Sequence, residues 1–147
     1  MRITLCGSIA HIDEMVDIKK QLTDLGHKVK TPATFIKNKS GDKIPISSYY
    51  RQRQTASDKD GWMWKTKKRL ILNHFRRIEW AEAILVVNLE KRGVKNYIGG
   101  NTLMEMGLAM FLKKKIFLLN PVPTVSYKEE VLAAGSVIIN GDLAECK

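Results

Sequence analysis

The segment Tyr97 to Gly107, YIGGNTLMEMG, combines residue types that could do chemistry with a spacing typical of a helix start. Glu105 lies between two methionines in an apolar stretch, and the following Gly107 leaves space close to the backbone. A carboxylate in such surroundings can act as a nucleophile or a base. In the first turn or so of a helix it can equally be a capping partner of Asn101 or Thr102. Spacing alone does not choose between these roles.

Two short segments could bind an anion. The first is GGNT, at the predicted start of this helix, where free N–H groups and the helix dipole favour negative charge. The second follows a predicted buried strand in CGSIAH, where backbone N–H groups and a hydroxyl could bind a phosphate or a sugar. Neither has the spacing of a Walker loop or a dinucleotide fingerprint, and a helix cap or an ordinary turn would need the same residues. The candidates are Gly7, Ser8, Gly99, Gly100, Asn101 and Thr102.

The net charge of +10 favours an anionic partner, which could be nucleic acid, a membrane surface or a phosphorylated small molecule. Much of the charge lies between Lys37 and Arg69, interleaved with aromatic residues that could stack on bases or pack a flap onto a sheet. A solvated basic loop is the alternative. His74 follows this segment on a predicted helix, where most single histidines are surface or hydrogen-bonded core residues.

The composition is that of an ordinary globular protein, with 147 residues, 44% hydrophobic and 27% charged. The apolar runs are far shorter than the ~20 residues of a membrane-spanning helix, and the N-terminus does not resemble a secretion signal. We therefore expect a cytoplasmic protein that does not associate with membranes. Cys6 and Cys146 have no spacing typical of a metal site or a disulfide, so we expect free thiols, no metal and no cofactor.

Predicted strands alternate with predicted helices, which is typical of a parallel sheet with helices on both faces. The predicted elements are a strand at Ile3–Cys6, a helix at Ile12–Leu25, a strand in HKVKTP, a helix at about Thr66–Trp80, a strand at Ala83–Asn88, a helix at Asn101–Lys113, a strand in KIFLLN, a short helix near Tyr127–Ala133 and a strand in SVII. We expect a flavodoxin-like, doubly wound α/β sheet of about five strands. Ligands of such sheets bind at the carboxyl ends of strands where the order reverses. Residues 1–147 are expected to form one domain, with a basic excursion at about 34–65 that acts as a lid.

Three segments resemble the nucleoside 2-deoxyribosyltransferases and their relatives, the 2′-deoxynucleoside 5′-monophosphate N-glycosidases. They are ITLCGSI at Ile3–Ile9, IEWAEAILVVN at Ile78–Asn88 and GGNTLMEMGLAM at Gly99–Met110. The resemblance implies that Glu105 attacks the anomeric carbon of the sugar, displaces the base and forms a glycosyl-enzyme intermediate, which water or a second base resolves. It also implies that Gly99–Asn101 hold a 5′-phosphate, and that Gly7, Ser8, Ile9 and Thr102 complete the substrate site.

The chain departs from the family at two positions. The family's second catalytic carboxylate falls on His74. The imidazolium of this histidine could protonate the leaving base near neutral pH. Alternatively, the histidine could mark a lost activity. The family's tyrosine on the first strand falls on Thr4. Because the relatives are homodimers or larger, the resemblance also implies a homo-oligomer.

Three hypotheses follow. The first is an enzyme that cleaves or transfers the N-glycosidic bond of a (deoxy)nucleoside or nucleoside 5′-monophosphate, with Glu105 as nucleophile and His74 as acid. The second is a nucleotide-binding sensor without turnover. The third is a nucleic-acid binder that uses Lys37–Arg69, which ranks last because it leaves Glu105 unexplained.

Overall fold

The structure, a computed structural model, describes residues 1–147. Its strands are β1 (Arg2–Gly7), β2 (Lys28–Lys30), β3 (Phe35–Lys37), β4 (Lys43–Pro45), β5 (Ala83–Val87), β6 (Lys115–Leu118) and β7 (Val137–Ile138). Its helices are α1 (Ile12–Asp24), α2 (Ile46–Gln54), α3 (Gly61–Trp80), α4 (Gly100–Phe111) and α5 (Lys128–Ala133), with 3₁₀ turns at Ile9–His11 and Leu143–Glu145. None of these helices combines the length and the apolar character that crossing a membrane requires.

The main sheet contains five parallel strands in the order β2-β1-β5-β6-β7, which confirms the predicted doubly wound, flavodoxin-like fold. All five residues of β5 are buried, as expected of a central strand covered on both faces. The order reverses between β1 and β5, which pair from Ile3 with Ala83 to Gly7 with Val87. The carboxyl ends of these two strands are therefore where a ligand site is expected.

Side chains alternate along β1 and divide the core between the two faces of the sheet. Ile3 and Leu5 pack on the face covered by α1 and the C-terminal turn. Cys6 packs on the opposite face, against residues of α3, α4 and α5. The alternation therefore points the Cys6 side chain toward the two helices that carry His74 and Glu105.

The basic excursion contains more regular structure than the expected loop with some helical turns. β3 and β4 form an antiparallel pair, and α2 packs with them and with α3 around a small apolar core. Tyr49 in this core is 1% exposed and donates its hydroxyl hydrogen to the Met63 carbonyl at 2.9 Å. α3 begins at Gly61 rather than near Thr66, because the Asp60 carboxylate caps it by accepting from the Met63 N–H at 3.1 Å.

Candidate active site

A cavity of about 320 Å³ lies at the carboxyl ends of β1 and β5. Its walls come from the turn after β1, from α2 and α3, from the loop after β5 and from the start of α4. Every residue predicted to bind substrate lines it, namely Gly7, Ser8, Ile9, Gly99, Gly100, Asn101 and Thr102. The fold thus brings the two predicted anion-binding segments to one place, as the sheet order requires.

Gly7 has a packing reason to be a glycine. A Cβ atom at this position would lie 3.0 Å from the Val87 carbonyl oxygen and 3.1 Å from the Met15 side chain. The missing side chain lets β1 end close against β5 and leaves its turn free to line the cavity.

Three cationic side chains, Arg53, Lys67 and Lys91, also line the cavity. The Lys91 ammonium donates to Ser8 Oγ at 2.8 Å and lies 5.2 Å and 5.5 Å from the ring centres of Tyr50 and Tyr97. Arg53 and Lys67 fall within the basic stretch recognised from the sequence, whereas Lys91 was not singled out. Its place in the loop that follows β5 is the signal that could have identified it.

Burial, and then the charge of Arg53, lower the pKa of Lys67 to about 8, while Glu105 acts in the opposite direction. A lysine with this pKa is still mostly charged at neutral pH. Several positive groups facing one concave space, beside the N-terminus of the 12-residue helix α4, favour an anionic ligand.

Glu105 is only 3% exposed, on the side of α4 that faces α3 and β1. Its Oε1 accepts from the Asn101 side-chain amide at 2.6 Å, and its Oε2 has no hydrogen-bond partner. The predicted capping role of Asn101 or Thr102 is wrong, because Gly99 is the N-cap and no side chain caps α4. The Asn101 amide is instead one helical turn before Glu105 and orients its carboxylate.

Burial raises the pKa of Glu105 to about 8, against the opposing effects of the Cys6 thiol, the Lys67 charge and the Asn101 amide. Water would otherwise stabilise the charged form, and its exclusion is the larger effect. A strongly shifted carboxyl group beside a cavity is a common mark of a functional site.

His74 reaches Glu105 from α3. Its Nε2 atom lies 3.8 Å from Glu105 Oε1 and 3.6 Å from Cys6 Sγ, and all three residues are buried. Burial, and then the charge of Arg77, lower the pKa of His74 to about 4, so the buried site favours the neutral imidazole. The imidazolium expected near neutral pH is therefore not the form that this environment stabilises. Burial also raises the pKa of the Cys6 thiol and keeps it protonated.

A second, narrower cavity of about 40 Å³ reaches this cluster at His74. His74 and Asn101 line it, together with Arg77 and residues of α2 and α3, and Asn101 lines both cavities. Glu105 lines neither of these two cavities, but its carboxylate is hydrogen-bonded to Asn101, which lines both.

Thr4, where the resemblance would place a tyrosine, does not line the cavity. It is fully buried and donates its hydroxyl hydrogen to the Arg77 carbonyl at 2.8 Å, which ties β1 to α3. The hydroxyl of Thr4 is therefore used in the core and not in the cavity wall.

No protein-family model matches the chain, and no curated protein is significantly similar to it in sequence. Among solved structures it is similar to a CMP N-glycosidase, BcmB, from Clostridium botulinum, at 17% identity and a TM-score of 0.50, over 99% of this chain and 97% of that one. It is also similar to a 2-deoxyribosyltransferase from Bacillus psychrosaccharolyticus, at 18% identity and a TM-score of 0.49, over 80% of this chain and 71% of that one. The chain thus has the fold of the CMP N-glycosidase along nearly its whole length.

Proposed function

We propose that this protein cleaves or transfers the N-glycosidic bond of a nucleoside or a nucleoside 5′-monophosphate, with Glu105 as the nucleophile. The observation that carries the proposal is a buried carboxylate, 3% exposed, directly behind a cavity whose other wall is rich in anion-binding groups. A sugar phosphate has a complementary layout, since its reacting carbon and its phosphate lie at opposite ends of the sugar.

The phosphate end is argued from charge and hydrogen-bond donors. Lys91 and Ser8 form one side, the backbone at Gly99 and Gly100 forms the start of α4, and Lys67 adds charge nearby. Hydrogen bonds from charged donors to phosphate oxygens are roughly twice as strong as neutral ones. A nucleotide would accordingly be oriented with its sugar toward Asn101 and Glu105.

The chemistry is a double displacement. Glu105 first gives up its proton, and a carboxylate oxygen then attacks the anomeric carbon while the carbon–nitrogen bond breaks. The electron pair of that bond leaves with the base, which takes up a proton from solvent. Water or a second base then attacks the same carbon, loses its proton to solvent and releases Glu105, so that the configuration is retained. The low-dielectric surroundings strengthen the attraction between the carboxylate and the positive charge that develops on the sugar.

His74 contributes to this machinery as a neutral imidazole. With Nε2 at 3.8 Å from Glu105 Oε1 and access to the narrower cavity, it is placed beside both the carboxylate and the sugar. We propose that it hydrogen-bonds to Glu105 or to the leaving base in the reacting complex, where such contacts shorten.

We also propose that the protein acts as a homo-oligomer. A groove between α3 and α4 is lined by four apolar residues, Leu72, Phe75, Leu108 and Leu112, together with Arg76 and Glu79. Phe111 at the end of α4 is 81% exposed. Exposed apolar surface of this kind is typical of an interface. Light scattering coupled to size-exclusion chromatography tests this; a monomer at high micromolar concentration contradicts it.

The test of the activity is release of free base. The protein is incubated with a panel of nucleosides and nucleoside 5′-monophosphates, and the base is measured by chromatography. Glu105→Gln should lower the rate by at least about a thousandfold, as expected when a nucleophile is removed. Glu129→Gln, which changes an exposed carboxylate on α5, is the matched control and should keep the rate. Absence of release from every substrate, or full activity of Glu105→Gln, would contradict the proposal.

A nucleotide sensor without turnover is the second candidate. It is favoured by the burial of Glu105, whose carboxylate is hydrogen-bonded to Asn101 and does not line the main cavity. In that case nucleotides raise the melting temperature of both the unaltered protein and Glu105→Gln, while no base is released by either. Release of base by the unaltered protein excludes this alternative.

A further inference from the structure

Cys6, His74 and Glu105 form a cluster that no spacing in the sequence reveals, because they come from β1, α3 and α4. They are 0%, 4% and 3% exposed, and one potential ligand atom from each lies within 4.8 Å of the others. Thiolate, imidazole and carboxylate groups together are typical ligands of Zn²⁺.

Two of the three pairs of ligand atoms lie at distances close to those around a single metal ion. Zn–S bonds of about 2.3 Å and Zn–N bonds of about 2.0 Å at a tetrahedral angle place the two ligand atoms about 3.5 Å apart. Cys6 Sγ and His74 Nε2 are 3.6 Å apart. His74 Nε2 and Glu105 Oε1 are 3.8 Å apart, which a shift of a few tenths of an ångström brings to the ~3.4 Å of a tetrahedral Zn–N and Zn–O pair.

We propose that Cys6, His74 and Glu105 bind Zn²⁺, with a water molecule from the narrow cavity as the fourth ligand. The thiol of Cys6 and, where protonated, the carboxyl of Glu105 release their protons to solvent as the metal binds. A coordinated thiol is deprotonated outright, and the two negative ligands then balance the two positive charges of the ion.

Two further observations support the site. Glu105 Oε1, the carboxylate oxygen that faces His74, is oriented by the Asn101 amide, which is the kind of outer contact that fixes metal-binding carboxylates. Glu105 Oε2 is buried without a hydrogen-bond partner, so the carboxylate has acceptor capacity that no other group of the chain uses. His74 and Asn101 also line the narrow cavity, which provides the access route for the ion and its water.

Zinc bound here occupies the carboxylate that the proposed reaction needs, so the site is inhibitory and reversible. This consequence rests on the proposed function, whereas metal binding itself does not. A chelator is then expected to activate the enzyme, and micromolar Zn²⁺ to suppress it.

Co²⁺ replaces Zn²⁺ as the probe in the test, since cobalt bound to a thiolate absorbs light by charge transfer. The full chain is freed of metal with a chelator and titrated with Co²⁺ while its absorption and circular dichroism are recorded. Cys146→Ser, which removes the other buried cysteine, and His27→Gln, which removes a histidine far from the cluster, are the matched controls.

We expect one Co²⁺ per chain, a charge-transfer band that persists in both controls, and loss of that band in Cys6→Ser. His74→Gln should keep the band but weaken Co²⁺ binding at least tenfold, so the test does not depend on the folding of one variant. Equimolar Zn²⁺ should displace the cobalt. No band in the unaltered protein, or a band that disappears in Cys146→Ser instead, overturns the proposal irrespective of whether base release is observed.

Discussion

Replacing Lys91 by methionine tests the phosphate end of the site. The change removes an ammonium that donates to Ser8 Oγ at 2.8 Å and lies over the rings of Tyr50 and Tyr97, while it keeps a long apolar stem between those rings. If Lys91 binds the phosphate, one charge-assisted hydrogen bond is lost, and such bonds contribute about 1.5–3 kcal/mol. That range corresponds to binding weakened about 10- to 150-fold, and the lower end is expected because Lys91 is partly exposed.

Calorimetric titration with a nucleoside 5′-monophosphate and with the same nucleoside lacking the phosphate measures the effect. Lys91→Met should weaken binding of the monophosphate about 10- to 150-fold, and it should change the affinity for the nucleoside by no more than about twofold. Lys95→Met removes an exposed lysine of the same loop that does not line the cavity, and it should change neither affinity. Equal weakening of both ligands, or equal effects of Lys91→Met and Lys95→Met, would refute the assignment of Lys91 to the phosphate.

Three other changes have defined outcomes. Asn101→Ala removes the 2.6 Å hydrogen bond that orients Glu105 and should lower kcat roughly 10- to 150-fold in steady-state assays of base release, which corresponds to about 1.5–3 kcal/mol. An unchanged kcat contradicts the role of the amide. Lys67 loses its positive charge as the pH rises through its pKa of about 8, so binding of inorganic phosphate should weaken between pH 7 and pH 9. If Lys67→Met keeps the same pH dependence, Lys67 is not the group that binds the phosphate. Gly7→Ala places a Cβ 3.0 Å from the Val87 carbonyl oxygen and should lower the free energy of unfolding by about 1–3 kcal/mol in urea titrations; an unchanged midpoint indicates that β1 and β5 can separate without cost.

The sheet and the place of the candidate site could be predicted from the sequence because both follow from local patterns. Alternating apolar strands and helices fix a parallel sheet, and the buried stretch at Ala83–Val87 identifies its centre. Glycine and polar residues after β1 and before α4 then identify the edge where ligands bind. Glu105 stood out for the same reason, since a charge in an apolar helix face is a local anomaly.

Contacts between distant parts of the chain could not be predicted in this way. The meeting of Cys6, His74 and Glu105 depends on how α3 and α4 pack against β1, and the sequence spacing indicated no metal site. The folded excursion was missed because β3 and β4 have only three residues each, too few for a periodic signal. The sequence predicted that Asn101 caps α4, because an asparagine at a helix start commonly bonds to the backbone. In the structure its side-chain amide bonds to Glu105 instead, and only the side-chain geometry shows which of the two bonds forms.

Mass spectrometry of a rapidly quenched reaction shows directly whether Glu105 is the nucleophile. If it is, the peptide containing Glu105 gains the mass of one sugar, or of one sugar phosphate, during turnover, and this gain is absent in Glu105→Gln. Release of base without any adduct on this peptide, together with a product of inverted configuration at the anomeric carbon, would show that Glu105 is not the nucleophile.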